Sequence, residues 1–189
     1  MIAALLLAAA LSPPRPPRAR PAPATAPSAP AAPLSDEEVR RKAEAWLGVI
    51  DRAIGYEQWK ALGPRAAEVL EPILSDPGEL PTRRAIAMDG LAAAAPDRAA
   101  AFAGKMARDE KEPIVLRVAA VHAAGVVLSP GRASAELKPV LQGTHAGLRG
   151  EAAEVLAGKG ACSAVREQAA REGPVRPGSW SRAISRCAE

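Results

Sequence analysis

Histidine is the side chain most often used for acid–base catalysis, and this chain has only two histidines. One of them, His122, stands five residues after an arginine. Asp89 and Glu154 stand five residues after two other arginines. An acid, a histidine and an acid at matching places are the residue types of a proton-transfer or metal site. Whether the three can act together depends on the elements that carry them.

Each of the three arginines begins a copy of one repeated sequence pattern, which we call a phrase. Arg84, Arg117 and Arg149 follow each other in steps of 33 (84 to 117) and 32 (117 to 149) residues. In each copy, small or apolar residues follow at offsets of three, four, seven and eight, which lie on one face of an α-helix. These residues are Ala87, Met88, Leu91 and Ala92; Ala120, Val121, Ala124 and Gly125; and Ala152, Ala153, Leu156 and Ala157. Each phrase therefore predicts an amphipathic helix with a closely packed face.

A second amphipathic segment accompanies each phrase. The two are separated by breaks that contain Pro or Gly, which end one helix and begin the next. A helix hairpin cannot bury its apolar face alone, but stacked neighbours can. Ser35 and Glu38 have the spacing of a capping box, which places the first helix start at Ser35. The sequence thus predicts an all-α fold, an α-solenoid of stacked antiparallel helix hairpins over residues 35–172.

Two segments carry a more specific pattern. They read LSDPGELPTRRAIAMDGLA (residues 74–92) and ARDEKEPIVLRVAAVHAAG (residues 107–125), a turn with aspartate followed by a helix that opens with arginine. This pattern resembles the HEAT-repeat family in its short bacterial form, over roughly residues 56–172. The resemblance implies stacked hairpins whose inner helices line a concave surface.

The resemblance also implies roles for individual side chains. In that family a turn aspartate often pairs with a repeat arginine along the stack. The third copy has the turn GTHAG and no aspartate before Arg149. The pairs implied here are Asp76 with Arg83 or Arg84, and Asp109 with Arg117. We therefore expect structural roles for the repeat arginines and for these two aspartates.

Residues 1–12 predict an export signal. The apolar run of residues 2–11 is too short to span a bilayer, and Ala8 and Ala10 suit a cleavage site. No Lys or Arg precedes the run, so a disordered Ala-rich leader is the alternative. Residues 13–34 predict a disordered Pro/Ala-rich linker, because proline cannot hold a helix. We expect a periplasmic or secreted protein without a transmembrane span, or a cytoplasmic one if the leader is not a signal.

The distribution of charge argues against nucleic acid as a partner. The chain carries a net charge of +4, and Arg15, Arg18 and Arg20 account for three of these charges. Residues 34–189 are therefore only about +1. A protein that binds nucleic acid by neutralising phosphates needs clustered cations on its folded surface.

Residues 173–189 predict a C-terminal capping helix or tail. Trp180, Ile184 and Cys187 share one helical face, and the last unit of a stack needs its apolar side covered. We expect Trp180 to make the main contact and Cys187 to point inward. The other cysteine is Cys162, so an exported chain permits one disulfide, Cys162–Cys187. Two free thiols are the alternative.

Geometry argues against one catalytic or metal centre at Asp89, His122 and Glu154. Packed helices lie about 8–10 Å apart, whereas zinc ligands lie about 2 Å from one ion. We interpret the three residues as a polar row on the concave face that contacts a partner protein. No catalytic set, metal-ligand spacing or cofactor motif stands out. The sequence favours a non-enzymatic interaction or scaffold module; the alternative is an envelope enzyme or enzyme accessory subunit that uses the row.

Overall fold

The computed structural model describes residues 34–49, 53–173 and 178–188, which form helices and turns without a β-strand among them. The predicted all-α class is confirmed. The predicted signal and the linker up to residue 33 lie outside the described residues. The helices are α1 (Asp36–Leu47), α2 (Tyr56–Leu62), α3 (Ala67–Ser75), α4 (Pro81–Ala94), α5 (Pro96–Ala99), α6 (Ala103–Arg108), α7 (Ile114–Val127), α8 (Pro130–Leu141), α9 (Ala146–Gly158), α10 (Cys162–Glu172) and α11 (Gly178–Arg186). None of these helices is both long and apolar enough to cross a membrane.

Helix α1 begins with the capping box that the sequence predicts. The Ser35 hydroxyl accepts a hydrogen bond from the Glu38 N–H at 3.3 Å, and the Glu38 carboxylate accepts one from the Ser35 N–H at 2.8 Å. Together they satisfy two backbone donors at the helix start. The Ser35 N–H also holds the pKa of Glu38 below its usual value. The buried side of the helix consists of Val39, Ala43 and Leu47.

Helices α4, α7 and α9 carry the three repeated phrases. Every residue of their predicted faces is buried apart from Gly125, which is half-buried. Helix α4 packs against α7, α7 against α9, and α9 against α11. Four helices are thus in contact in chain order. Asp89 on α4 and His122 on α7 are exposed, and Glu154 on α9 is half-buried.

Each phrase helix also packs against a helix that precedes it. Helix α3 packs on α4, α6 on α7, and α8 on α9. The predicted partner between α4 and α7 is divided into α5 and α6. Pro96 is the first residue of α5 and cannot continue the hydrogen bonding of α4, so the chain turns there before α6 begins at Ala103.

Glycine permits close approach at two helix contacts. A Cβ added at Gly90 of α4 would lie 3.0 Å from the Trp59 ring, closer than Cβ atoms normally come. A Cβ added at Gly150 of α9 would overlap the Ser179 hydroxyl of α11. The absence of a side chain at these two positions therefore lets α2 and α11 pack directly on the phrase helices.

Each repeat arginine binds backbone carbonyl groups that precede its own helix. Arg149 donates to the carbonyls of Gly143 and Thr144 in the turn after α8, and the other two donate to the end of the preceding helix. Arg84 Nε donates to the Leu74 carbonyl in the last turn of α3 at 3.0 Å, and Arg117 Nε donates to the Ala107 carbonyl of α6 at 3.1 Å. The last carbonyls of a helix lack intrahelical partners and carry partial negative charge. A guanidinium group meets both needs, which explains an arginine at this place in successive phrases.

Two of the repeat arginines also bind a glutamate from a later element. Arg84 donates through Nη1 and Nη2 to both carboxylate oxygens of Glu112, at 2.7 and 2.8 Å. Arg149 binds both carboxylate oxygens of Glu172 at the end of α10. Hydrogen bonding to Glu172 raises the pKa of Arg149 above its usual value. These two-bond pairs connect neighbouring parts of the helix array.

Among the described residues, the aspartates and arginines that the resemblance pairs with each other have other partners. Asp76 Oδ1 accepts from the Gly78 N–H at 2.8 Å, and Asp109 Oδ1 accepts from the Lys111 N–H at 3.0 Å. Each aspartate thus closes its own turn, a common use of this short side chain. Arg83 pairs with Glu79 at 2.9 Å instead of with Asp76.

Helix α11 packs against α9. Trp180 and Ala183 are fully buried there, and Cys187 is buried as well. The sulfur atoms of Cys162 and Cys187 lie at bonding distance, 2.12 Å, so the pair permitted by the sequence forms. It joins the start of α10 to the end of α11.

Reduction of this disulfide is expected to lower the free energy of unfolding by about 3 kcal/mol. The bond joins residues with a sequence separation of 25, and closing such a loop reduces the conformational entropy of the unfolded chain. Urea unfolding of the oxidised and reduced chains measures the difference. The double variant Cys162→Ala/Cys187→Ala should unfold at the same urea concentration as the reduced chain, with or without reductant. Equal midpoints for oxidised and reduced wild type would show that the cross-link contributes nothing.

Candidate functional site

The predicted polar row is distributed over three helices in contact. Asp89 lies on α4, His122 on α7 and Glu154 on α9. His122 Nε2 lies 2.9 Å from Glu151 Oε2, so its direct partner is one turn before Glu154. Glu154 instead accepts hydrogen bonds from Arg182 of α11, at 2.6 and 2.9 Å. The three residues of the row do not converge on one point.

A polar cavity of about 600 Å³ lies between α7, α9 and α11. Its charged and titratable lining residues are His122, Glu151, Glu154, Lys159, Arg182 and Arg186. The hydrogen bonds from Arg182 hold the pKa of Glu154 below its usual value, and those same bonds raise the pKa of Arg182. The cavity therefore presents fixed charges of both signs at neutral pH, as a surface that binds another polar surface does.

A second cavity of about 630 Å³ is mostly apolar. It lies between the end of α1, α2, α4 and the first residues of α7. Trp46 and Trp59 meet there edge to face, with ring centroids 5.0 Å apart. The other large apolar lining residues are Leu47, Val49, Ile54, Leu80, Ile86 and Val115. A cavity of this size and lining is typical of sites that receive an apolar group.

Asp89 supplies a carboxylate to this apolar cavity. The residue is exposed to water, but the surrounding protein displaces part of the water that would solvate its charge. This desolvation raises the pKa of Asp89 from 3.8 to about 6, and the nearby His122 opposes the rise. A carboxylate in such surroundings can bind a cation or exchange a proton near neutral pH.

Replacing Asp89 with asparagine is expected to stabilise the protein at about pH 7.5. The pKa of Asp89 is higher in the folded chain than in the unfolded one, so ionisation costs stability as the pH rises from about 4 to about 6. Because the side chain is partly solvated, we expect a gain of only about 1 kcal/mol. At about pH 3.5 the carboxyl is mostly uncharged in both states, and the gain should be much smaller. Urea unfolding of both chains at the two pH values tests this, and an equal gain at both would contradict it.

The described residues offer no group of side chains for a metal ion. Within residues 34–49, 53–173 and 178–188, no three His, Cys, Asp or Glu side chains lie close enough to share one ion. His145 is engaged elsewhere, since its Nδ1 accepts a hydrogen bond from the Leu148 N–H and caps α9. The two cysteines are bonded to each other.

Sequence reasoning did not find the apolar cavity. Its walls come from α1, α2, α4 and α7, whose separate patterns say nothing of a shared space. One signal was present: Leu80 and Val115 are large apolar residues outside the repeated faces. The pairs His122–Glu151 and Glu154–Arg182 were also missed, because contacts between helices depend on how far one helix is displaced along the next.

No protein-family model matches the chain, and no curated protein or solved structure is significantly similar to it. The likeness to HEAT repeats therefore rests on the repeated residues themselves.

Proposed function

We propose that this protein is a non-enzymatic protein-interaction or scaffold module. In this proposal its helices form a HEAT-like α-solenoid of stacked hairpins, and α4, α7, α9 and α11 line the concave surface. The order of packing supports the arrangement, since each of these helices contacts the next and α3, α6 and α8 pack beside them. We call the solvent-accessible residues of α4, α7, α9 and α11 that line the two cavities, together with Lys159 just after α9, the cavity face. The members used below are Ile86, Asp89, Val115, His122, Glu154, Lys159 and Arg186.

One observation carries the proposal: an apolar and a polar cavity lie on successive helices in contact, with large apolar side chains exposed at the apolar one. Leu80 is 66% exposed and Val115 is 38% exposed, and both line the apolar cavity. Contiguous exposed apolar surface in a folded domain marks a place where another molecule binds. The polar cavity beside it supplies the charges that give such contacts specificity.

Photo-crosslinking in living cells tests the proposal. A photoreactive residue is placed at Ile86 or His122 on the cavity face, and at the exposed Ala135 of α8 as the control. We expect one discrete protein to be captured from positions 86 and 122 but not from 135. The capture should be lost when Asp89 and Glu154 are both changed to lysine. A folded, abundant chain that gives the same products from all three positions would reject the proposal.

We also propose that the protein is exported to the periplasm or secreted. The bonded cysteine pair supports this, because disulfides persist in oxidising compartments and are rare in the cytosol. Alkylation of free thiols in intact cells, before lysis, provides the test. Cys162 and Cys187 should resist alkylation until a reductant is added. Complete alkylation without reductant would favour a cytoplasmic protein.

The second candidate function is an envelope enzyme or enzyme accessory subunit. It is favoured by Asp89, a carboxylate with its pKa near neutral beside a cavity of ligand size, which suits an acid–base group. Incubating the purified chain with a small-molecule extract and following the components by mass spectrometry tests this. A component consumed by wild type but not by Asp89→Asn would support an enzyme.

A further inference from the structure

The charges that line the apolar cavity are not all free to meet a partner. Arg83 lines this cavity, but its guanidinium is paired with Glu79 at 2.9 Å. Asp89 makes no hydrogen bond or ion pair within the described part of the chain. The charge available at the α4 side of the cavity face is therefore negative.

The polar cavity has the opposite balance. Glu154 is paired with Arg182, and Glu151 with His122. Lys159 uses one of its three donors on the Leu128 carbonyl at 2.9 Å. Arg186 has no hydrogen bond or ion pair to the residues that the structure describes. The net charge at the α9 and α11 side is therefore positive, because three cations (Lys159, Arg182 and Arg186) line the cavity against two carboxylates, and both carboxylates already accept hydrogen bonds.

We propose that the cavity face binds a partner-protein segment with an apolar side chain beside a Lys or Arg at one end and an Asp or Glu at the other. The apolar end enters the cavity beside Trp46 and Ile86, where its cation meets Asp89. The acidic end meets Lys159 and Arg186. This inference rests on the proposed function and adds the chemistry and direction of the bound segment.

The positions of the helices set the length of the segment. Asp89 on α4 and Lys159, at the end of α9, are separated by two helix-to-helix steps through α7. At about 8–10 Å for each step, the axes of α4 and α9 lie about 16–20 Å apart, and we take this as the span that the bound segment covers across the face. A bound helix, which rises about 1.5 Å per residue, would cover this distance in about 11–13 residues. The cationic and acidic ends of the segment should therefore be about three turns of helix apart.

The surroundings of Asp89 favour a cation over a neutral partner group. The protein around its carboxylate displaces part of the water that would stabilise the negative charge. This desolvation also raises the pKa of Asp89. A cation brought beside the carboxylate by an apolar anchor stabilises that charge where water is partly excluded. Complementary charges of this kind mainly determine which partner binds and in which direction.

Selection from a displayed library of random peptides of about 16 residues tests the inference. The target is the purified, oxidised full chain, as wild type, Asp89→Lys and Lys159→Glu/Arg186→Glu. Glu167→Lys, an exposed charge reversal on α10, is the matched control. Wild type and the control should enrich Lys or Arg beside a large apolar residue, with Asp or Glu about 11–13 positions away. Asp89→Lys should lose the preference for the cation, and the double variant the preference for the acid.

A binding measurement with the best wild-type peptide completes the test. Asp89→Asn should bind it about tenfold more weakly, and Glu167→Lys should bind it as wild type does. If no peptide is enriched, or the same motif is enriched on Asp89→Lys, the inference is wrong. A partner captured in cells from position 122 together with charge-insensitive peptides would reject this inference alone. Absence of both the capture and the enrichment would reject the proposed function as well.

Discussion

Replacing Leu156 with aspartate is expected to lower the free energy of unfolding by about 5 kcal/mol, enough to unfold much of the protein at room temperature. Leu156 lies on α9 and is fully buried in the shared core. Removing a buried leucine side chain costs about 2–5 kcal/mol in lost contacts and cavity formation. The aspartate adds the cost of a polar group without a partner, which is either a buried charge or a carboxyl forced to remain protonated.

The matched control for Leu156→Asp is Val126→Asp on α7. Val126 is 53% exposed, so the same introduced charge stays in water, and its place in the last turn of α7 should cost no more than about 1 kcal/mol. Leu156→Ala separates the loss of packing from the introduction of charge. Circular dichroism during urea unfolding measures all three. If Leu156→Asp and Val126→Asp had the same midpoint, the assignment of the buried face of α9 would be wrong.

Replacing Arg84 with alanine is expected to cost about 3–5 kcal/mol. Arg84 is only 4% exposed, and its guanidinium binds the Leu74 carbonyl and both oxygens of Glu112. Without it, Glu112 loses its paired charge in a partly buried place, and the Leu74 carbonyl at the end of α3 loses a donor. The large cost comes from leaving these two polar groups without a partner, and it exceeds the net stabilisation that the ion pair itself provides.

The neighbouring arginine is the control for this prediction. Arg83 pairs with Glu79 one turn away, and both side chains are partly exposed, so Arg83→Ala should cost less than about 1 kcal/mol. A double-mutant cycle with Glu112→Gln tests the coupling directly. If the Arg84→Ala and Glu112→Gln effects were simply additive, the Arg84–Glu112 pair would not account for the loss.

Local patterns in the sequence predicted much of the helix array. The capping box at Ser35 and Glu38 forms as expected, because it involves residues three positions apart. The buried faces of α4, α7 and α9 follow from helical offsets, since burial of a repeated apolar face does not depend on details of the neighbours. The burial of Trp180 follows in the same way, because this residue lies on the apolar face of α11.

Partner choice among charged side chains was predicted poorly. Asp76, which we expected to pair with a repeat arginine, closes its own turn instead. Arg84 pairs with Glu112, which lies in the turn before α7. Several carboxylates lie near each repeat arginine in sequence, and their separations along the chain do not rank them. The displacement of one helix along the next decides which carboxylate a guanidinium reaches.

By itself, the sequence determined the helical class, the three repeated faces and the single pair of cysteines available for a bond, because these depend on spacing along one chain. Only the tertiary structure decided that Asp89 enters an apolar cavity while His122 and Glu154 line a polar one. It also decided which charges on the cavity face are already paired. The reason is physical: a cavity and an ion pair between helices depend on the relative placement of side chains from distant segments, and helical periodicity constrains only the face of each.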